Sequence, residues 1–372
     1  MDARLIVVVP LLLIAGVKLA TWLMERRTAK LKTATEEAKA TIARVEEATR
    51  PTIYPSEHGL VGRAELIADP GLTGPDVDAA LAALKEGDRQ PAVALLAAAA
   101  GDHDRRWGLL GRFAGPAAED DAWLLAWRAE QPDDADAALL TLDALIDVAW
   151  KVRTGNSASQ VTAERWAAFA RVLSEAETAA ADAVRLADPA DPLPFVAQIP
   201  LAMGQSWDNE RFLALWQEIA SRDPHNFSAH ANALQYWCAK WKGSHEKMHA
   251  FVDAAIAAAP KGSLLSAYKL QAYYEQFQRD RSPRDAYAAP EVQAAADAVV
   301  AALAEADPDD RHRSFAHGWL VWVLARAGRP ADAMPHLRAL GPIVPIPWSY
   351  WGSPVDRFVE ERVEIVLAAT AE

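Results

Sequence analysis

Residues 216–237 read WQEIASRDPHNFSAHANALQYW: an amphipathic stretch, a turn at Pro224, and a second amphipathic stretch beginning a few residues later. The same grammar recurs in 184–204 (VRLADPADPLPFVAQIPLAMG), 251–274 (FVDAAIAAAPKGSLLSAYKLQAYY) and 300–328 (VAALAEADPDDRHRSFAHGWLVWVLARAG). The turn prolines Pro189, Pro224, Pro260 and Pro308 stand 35, 36 and then 48 residues apart. A helix pair of this length cannot bury its apolar faces alone. Stacked pairs bury a continuous core, so the spacing predicts an all-α helical-repeat solenoid, a right-handed stack of roughly six to eight helix pairs from Pro75 to Ala369 with little or no sheet.

Composition agrees. Alanine, leucine and glutamate dominate, glycine is sparse at 18 residues, and no segment shows the period-two alternation of a strand. A helix–turn–helix period near 34 residues is that of tetratricopeptide repeats, and the body, 75–372, is expected to be tetratricopeptide-like. The net charge of −13, with no basic stripe after Lys39, excludes a nucleic-acid partner. Cys238 is the one cysteine, so an intramolecular disulfide is impossible.

The first 24 residues read as a transmembrane anchor. Leu5–Leu23 (LIVVVPLLLIAGVKLATWL) carries one charge, Lys18, and as a helix would extend about 28 Å, close to a bilayer's hydrocarbon thickness. Cleavage as a signal peptide is disfavoured: Ala20 has Lys18 at the minus-three position, and Gly16 has Ile14. Lys18 and Trp22 suit the far interface, and Pro10 is tolerable near the first turns. Arg26, Arg27, Lys30 and Lys32 follow the span while only Arg4 precedes it, which places the body in the cytoplasm of a single-pass protein at the cell membrane. Residues 25–49 read as a charged stalk helix. Leu31, Ala34, Ala38, Val45 and Ala48 form a weak heptad-like seam, interrupted at Thr41, through which the chain could oligomerise. Residues 50–74, with Pro51, Pro55, Gly59, Gly62, Pro70, Gly71 and Gly74, read as a linker, after which Gly87 and Pro91 mark a turn between two helices.

Between Asp120 and Tyr287, a little under half of the chain, the sequence carries Ala149-Trp150 with Arg153 and Gly155, then Glu164, Trp166 and Phe169, and Asp188-Pro189 with Asp191-Pro192. It continues with Lys240-Trp241-Lys242-Gly243-Ser244, Glu246, Met248 and Phe251. This segment resembles a bacterial domain family of unknown function with tetratricopeptide-like helices and a Trp-x-Gly-Ser-x-Glu-x-Met motif. The resemblance implies the helical fold and brings no activity. Lys242 stands where that motif has glycine.

His245-Glu246-Lys247-Met248-His249 is the one enzymatic signal. Histidines at i and i+4 share a helix face and could hold zinc, with Glu246 as general base. Ser244, however, reads as an N-cap that puts His245 in a first turn, and Glu275, the candidate third ligand, has no motif around it. His225, His230, His312 and His317 flank helix ends and read as structural. No phosphate loop, nucleophile elbow or paired-cysteine ribbon occurs, so no cofactor is called for. Cys238, in the apolar run LQYWCAKW, is expected to be buried.

The 14 tryptophans pair at helical spacing: Trp123 with Trp127, Trp237 with Trp241, Trp319 with Trp322. Most are expected in the core. Others could line a partner-binding face, and IVPIPWSYWGSP, with Trp348, Tyr350 and Trp351, either caps the stack or lines a groove. The partner-binding or packing set is therefore Trp150, Arg153, Trp166, Trp237, Trp241, Gly243, Ser244, Glu246, Met248, Trp348 and Trp351. These readings favour a membrane-anchored scaffold for a protein or peptide partner, over a zinc peptidase and a purely structural membrane-anchored oligomer.

If Leu5–Leu23 spans the membrane with its basic flank inside, the full-length protein will resist salt and alkaline extraction, and a fluorescent reporter fused after Glu372 will glow while an export-dependent phosphatase stays silent. Reversed reporters would place the body outside.

Overall fold

Aspartate and proline set the boundaries of the helices. In the computed structural model the described residues are 26–28, 30, 32, 53–68, 72–154, 161–350 and 352–371. The chain divides into Met1–Tyr54 and Pro55–Glu372. In the first unit residues 26–28, 30 and 32 are helical. The Leu5–Leu23 span and most of the 25–49 stalk lie outside the described residues, among which no helix is long and apolar enough to cross a membrane.

The second unit is all-α. Its helices are α1 (Pro75–Lys85), α2 (Gln90–Ala98), α3 (His103–Glu119), α4 (Ala122–Glu130), α5 (Ala135–Arg153) and α6 (Ala163–Leu186). There follow α7 (Leu193–Val196), α8 (Gln198–Gly204), α9 (Asn209–Arg222), α10 (Phe227–Trp237), α11 (His245–Ala258) and α12 (Ala267–Asp280). The last are α13 (Pro290–Glu305), α14 (Arg313–Arg326), α15 (Pro330–Ala339), α16 (Ile346–Ser349) and α17 (Pro354–Ala371). Asp102, Asp134, Thr162, Asp208, Asn226 and Ser244 cap α3, α5, α6, α9, α10 and α11, each side-chain oxygen accepting a first-turn backbone N–H. Each such cap stabilises its helix by about 1 kcal/mol.

The four prolines of the repeat grammar sit in equivalent turns. α6, α9, α11 and α13 end just before Pro189, Pro224, Pro260 and Pro308, and the residue that follows each helix leaves the helical region. A proline crowds the backbone of the residue before it, which stops a helix at that point. Asp188 and Asp307 close their turns by accepting from the Ala190 and Asp309 amides, each at 2.8 Å. The longer third spacing has a cause: Arg281 turns left-handed (φ 54°), and a 3-10 turn, Arg284–Ala288, is inserted before α13. That insertion buries Tyr287, whose hydroxyl accepts from Trp322 Nε1 at 3.1 Å.

Successive helices pack side by side from α10 to α15. Tyrosines tie neighbouring segments together: the Tyr236 hydroxyl donates to the Trp207 carbonyl (2.9 Å) and the Tyr268 hydroxyl to the Phe227 carbonyl (2.8 Å). The α5–α6 hairpin is antiparallel, since Arg165 at the start of α6 reaches the Val152 carbonyl at the end of α5. Both helices carry buried alanines, Ala137, Ala138, Ala144 and Ala149 on α5 and Ala176, Ala180 and Ala183 on α6.

The segment from Pro55, which reads as part of a linker, packs onto the C-terminal helices. Ile67–Ala68 (β1) pairs in parallel with Ile343–Val344 (β2), two residues each and the one sheet among the described residues. Arg338 and Arg362 donate to the carbonyls of His58 and Val61 at 2.8 and 2.9 Å, and Arg63 pairs with Asp356. Further along, Arg311 pairs with Asp102, and His312 Nε2 lies 3.2 Å from Asp104. The two ends of this unit are therefore joined.

Between α14 and α15, His317 Nδ1 meets His336 Nδ1 at 3.0 Å, so one neutral ring donates and the other accepts. Burial, with His336 and Arg313 adding to it, pushes His317 down to about 4; burial also lowers His336, against Asp332. An unfolded histidine titrates near 6.5, so between about pH 6.5 and 4 the unfolded chain binds protons that the folded pair refuses. This contribution is complete above pH 6.5 and is lost as pH falls towards 4. Denaturant unfolding should show His317 losing about 2 kcal/mol between pH 7.5 and 5, and His317→Gln should flatten the pH dependence by that amount. An identical slope in the variant would contradict the assignment.

Candidate functional site

Five of the residues on which the resemblance rests, Trp150, Arg153, Trp166, Phe169 and Trp241, meet in space. Trp150 and Arg153 sit on the last turn of α5, Trp166 and Phe169 on the first turns of α6, and Trp241 on the loop after α10. The Trp150 ring meets Phe169 (5.4 Å) and Trp241 (5.6 Å) edge-on, and Trp166 meets Phe169 at 5.7 Å. The Arg153 guanidinium lies 5.3 Å from the Trp150 ring and 5.6 Å from those of Trp166 and Trp241. Three cation–π contacts hold a side chain that has no carboxylate in ion-pair range among the described residues. The cluster fastens the α5–α6 hairpin to the α10–α11 loop. Gly155 and Trp351 lie outside the described residues.

Gly243 belongs to the same loop, which doubles back on the end of α10. A β-carbon there would stand 1.7 Å from the Trp237 carbonyl oxygen. The bare backbone of Gly243 therefore approaches another strand of backbone, and the neighbouring Lys242 N–H donates to the Tyr236 carbonyl at 3.3 Å. Ser244 is the N-cap of α11, its hydroxyl accepting from the Lys247 amide at 3.1 Å. Met248 is fully buried, with its sulfur 3.4 Å from that of Cys238. Burial, with Glu275 adding and Lys240 opposing, pushes the Cys238 thiol up to about 12, which removes it as a nucleophile.

The two histidines of the HEKMH stretch face different partners on α12. His245 Nε2 lies 3.0 Å from Asp280, and His249 Nε2 lies 2.9 Å from the Gln276 carbonyl oxygen. Glu246 is exposed in the first turn, where a carboxylate suits the helix dipole. Glu275 is buried and accepts from Lys240 Nζ (2.7 Å) and Gln235 Nε2 (2.8 Å). Among the described residues no three His, Cys, Asp or Glu side chains are grouped to hold a metal ion. Trp237 and Trp348 are core residues: Trp237 packs on Phe212 and Tyr236, and Trp348, 1 % exposed, packs on Trp322 and Phe358.

A cleft of about 500 Å³ opens where the ends of the unit meet. One wall is aromatic and repetitive. Phe227, Tyr268 and Phe315, near the starts of α10, α12 and α14, come from three consecutive proline turns and touch in a triangle, with ring centroids 4.7, 4.9 and 5.2 Å apart. Trp107 on α3 and Tyr350 after α16 complete the lining. Asn232, Gln235 and Gln271 add amides, and Asp104 stands on the α3 side. Gln271 is 4 % exposed; its amide nitrogen donates to the Tyr350 hydroxyl at 3.2 Å, and its carbonyl oxygen has no partner. Apart from Tyr350, none of these residues is singled out by a motif. Their signal is weaker: on α10, Phe227, Ala231 and Gln235 recur every fourth residue on a face that the buried Ala229, Ala233 and Tyr236 do not need.

No family model matches the chain, and neither a curated protein nor a solved structure matches it. The roles assigned above are therefore tested on this chain directly. Gly243→Ala should destabilise the fold by about 2–4 kcal/mol, because the clash is with backbone and cannot be relieved by a rotamer change. A loss below about 0.5 kcal/mol in denaturant unfolding would show that the loop is placed wrongly.

Proposed function

We propose that the protein is a membrane-anchored interaction scaffold, a tetratricopeptide-like helical-repeat body held at the membrane by Leu5–Leu23, whose cleft receives a segment of a protein or peptide partner in the cytoplasm. The observation that carries this reading is the triangle of Phe227, Tyr268 and Phe315. Three successive proline turns are each followed by an aromatic ring near the start of the next helix, and the rings, Phe227 and Tyr268 buried and Phe315 half-buried, border one cavity. Cavities of about 300–1,000 Å³ with aromatic walls and a few polar groups are the usual form of ligand sites. The amides of Asn232, Gln235 and Gln271 suit a chain whose backbone offers donors and acceptors at every residue. Repeat stacks bind through such inner faces.

Full-length protein used as bait should capture a defined partner set that Asn232→Arg abolishes by filling the cleft. Leu213→Arg, at a side chain 48 % exposed on α9 and not part of the cleft lining, should leave that set unchanged. Capture that survives Asn232→Arg and fails with Leu213→Arg would move the binding face elsewhere.

A further inference from the structure

The mouth of the cleft is strongly acidic. A shallow depression that shares Asp104, Arg311 and His312 with the cleft is lined also by Asp102, Asp307, Asp309 and Asp310, and the basic side chains there are Arg311 and His312. Both are engaged: Arg311 pairs with Asp102, and His312 Nε2 faces Asp104 at 3.2 Å while its ring stacks on Phe227 at 3.7 Å. Asp309 is exposed, and its side chain is left to the solvent at the rim.

A second, independent feature lies inside. Of the buried side-chain atoms without a partner, those on residues that line the cleft are Gln271 Oε1 and Asp104 Oδ1, and both are acceptors. A buried acceptor left unpaired costs stability, which a donor from a ligand would recover. The rings of Trp107, Phe227, Tyr268 and Phe315 line the same cleft, and a cation is attracted to an aromatic ring by its quadrupole. Unmet acceptors, aromatic faces and a carboxylate rim call for the same complement: a positively charged, donor-rich group on an apolar stem.

We infer that the cleft selects a peptide segment carrying a basic side chain, with a guanidinium seated among the aromatic rings and the acidic rim steering it in. This rests on the reading of the cleft as a peptide groove and adds its chemical selectivity. Arginine fits better than lysine, because its planar group both stacks on rings and presents five donors. The net charge of −13 reinforces the attraction at long range, and salt will screen it.

The test is selection of a random decapeptide display library on the full-length protein in detergent, keeping peptides that Asn232→Arg no longer binds. Those peptides should be enriched in arginine and lysine. Replacing the arginine of a selected peptide by citrulline, which keeps the shape and removes the charge, should weaken binding about tenfold, and raising salt from about 50 to 300 mM should weaken it several-fold. Asp309→Asn and Gln271→Met should each weaken binding several-fold, whereas Glu210→Gln, an equal charge change on α9, should not. Cleft-dependent peptides without basic enrichment, or equal affinity for the citrulline peptide, would overturn the selectivity and leave the groove standing. Recovery of no cleft-dependent peptide would overturn the groove reading and this inference with it.

Discussion

The organisation of the body rests on one constraint: a short amphipathic helix pair leaves an apolar face that only its neighbour can cover. α10 illustrates it. Ala229, Ala233 and Leu234 are fully buried, yet α10 alone is 11 residues long and would be marginal as an isolated helix. Burial of apolar area at about 25 cal/mol per Å² supplies the stability that propensity lacks. The turns must then return the chain, which the prolines do by stopping each helix, while Asp188 and Asp307 accept amides of their own turns. Arg106 shows the same demand met with charge. Buried on α3, it pairs with Asp136 at the start of α5 and with Asp191 in the turn after Pro189, while Asp191 also accepts from the Leu193 amide at 2.9 Å. Coulombic attraction to both aspartates, against the cost of burial, holds the Arg106 guanidinium above the usual arginine range. Truncating such a residue strands two carboxylates, the costly kind of change.

The two ends of the all-α unit meet. The pairs that join Arg311 to Asp102 and Arg63 to Asp356 are partly exposed, and exposed pairs contribute only about 0–1 kcal/mol each. The apolar contacts around them count for more: Leu60, Val344, Trp348 and Phe358 are all buried near the junction. Joining the ends brings α3 opposite α10 and α14, and that juxtaposition creates the cleft. The cleft follows from closure, since Trp107 and Asp104 are far in sequence from the aromatic triangle across it.

Helix, turn and cap were legible in the sequence because their causes are local. Ser244 announced the start of α11, Pro75 the start of α1, and Gly87 with Pro91 the break between α1 and α2. The fate of Cys238 was legible as well, since an apolar run predicts burial. What was not legible depends on residues far apart. The glycine- and proline-rich stretch after Pro55 reads as a linker, because its anchors, Arg338, Arg362 and the Ile343–Val344 strand, lie some 280–300 residues away. The cleft was hidden for the same reason: Phe227 and Phe315 look like ordinary core residues until the turns place them side by side. Trp150, Arg153 and Trp241 were singled out together, but that they form one cluster around a guanidinium is a fact of packing, as is the reason for Gly243. In the IVPIPWSYWGSP stretch Trp348 is buried in the core, while Ile346 and Tyr350 line the cleft.

The central claim is that the inner face of α10 touches a partner. A photoreactive benzoylphenylalanine placed at Ser228, inside the cleft, or at Leu213, outside it, reports contact directly when the full-length protein is irradiated in its host cell. The account predicts a discrete crosslinked product from position 228, mapping by mass spectrometry to a basic segment of another protein, and little or none from position 213. Crosslinks from position 213 alone would contradict it.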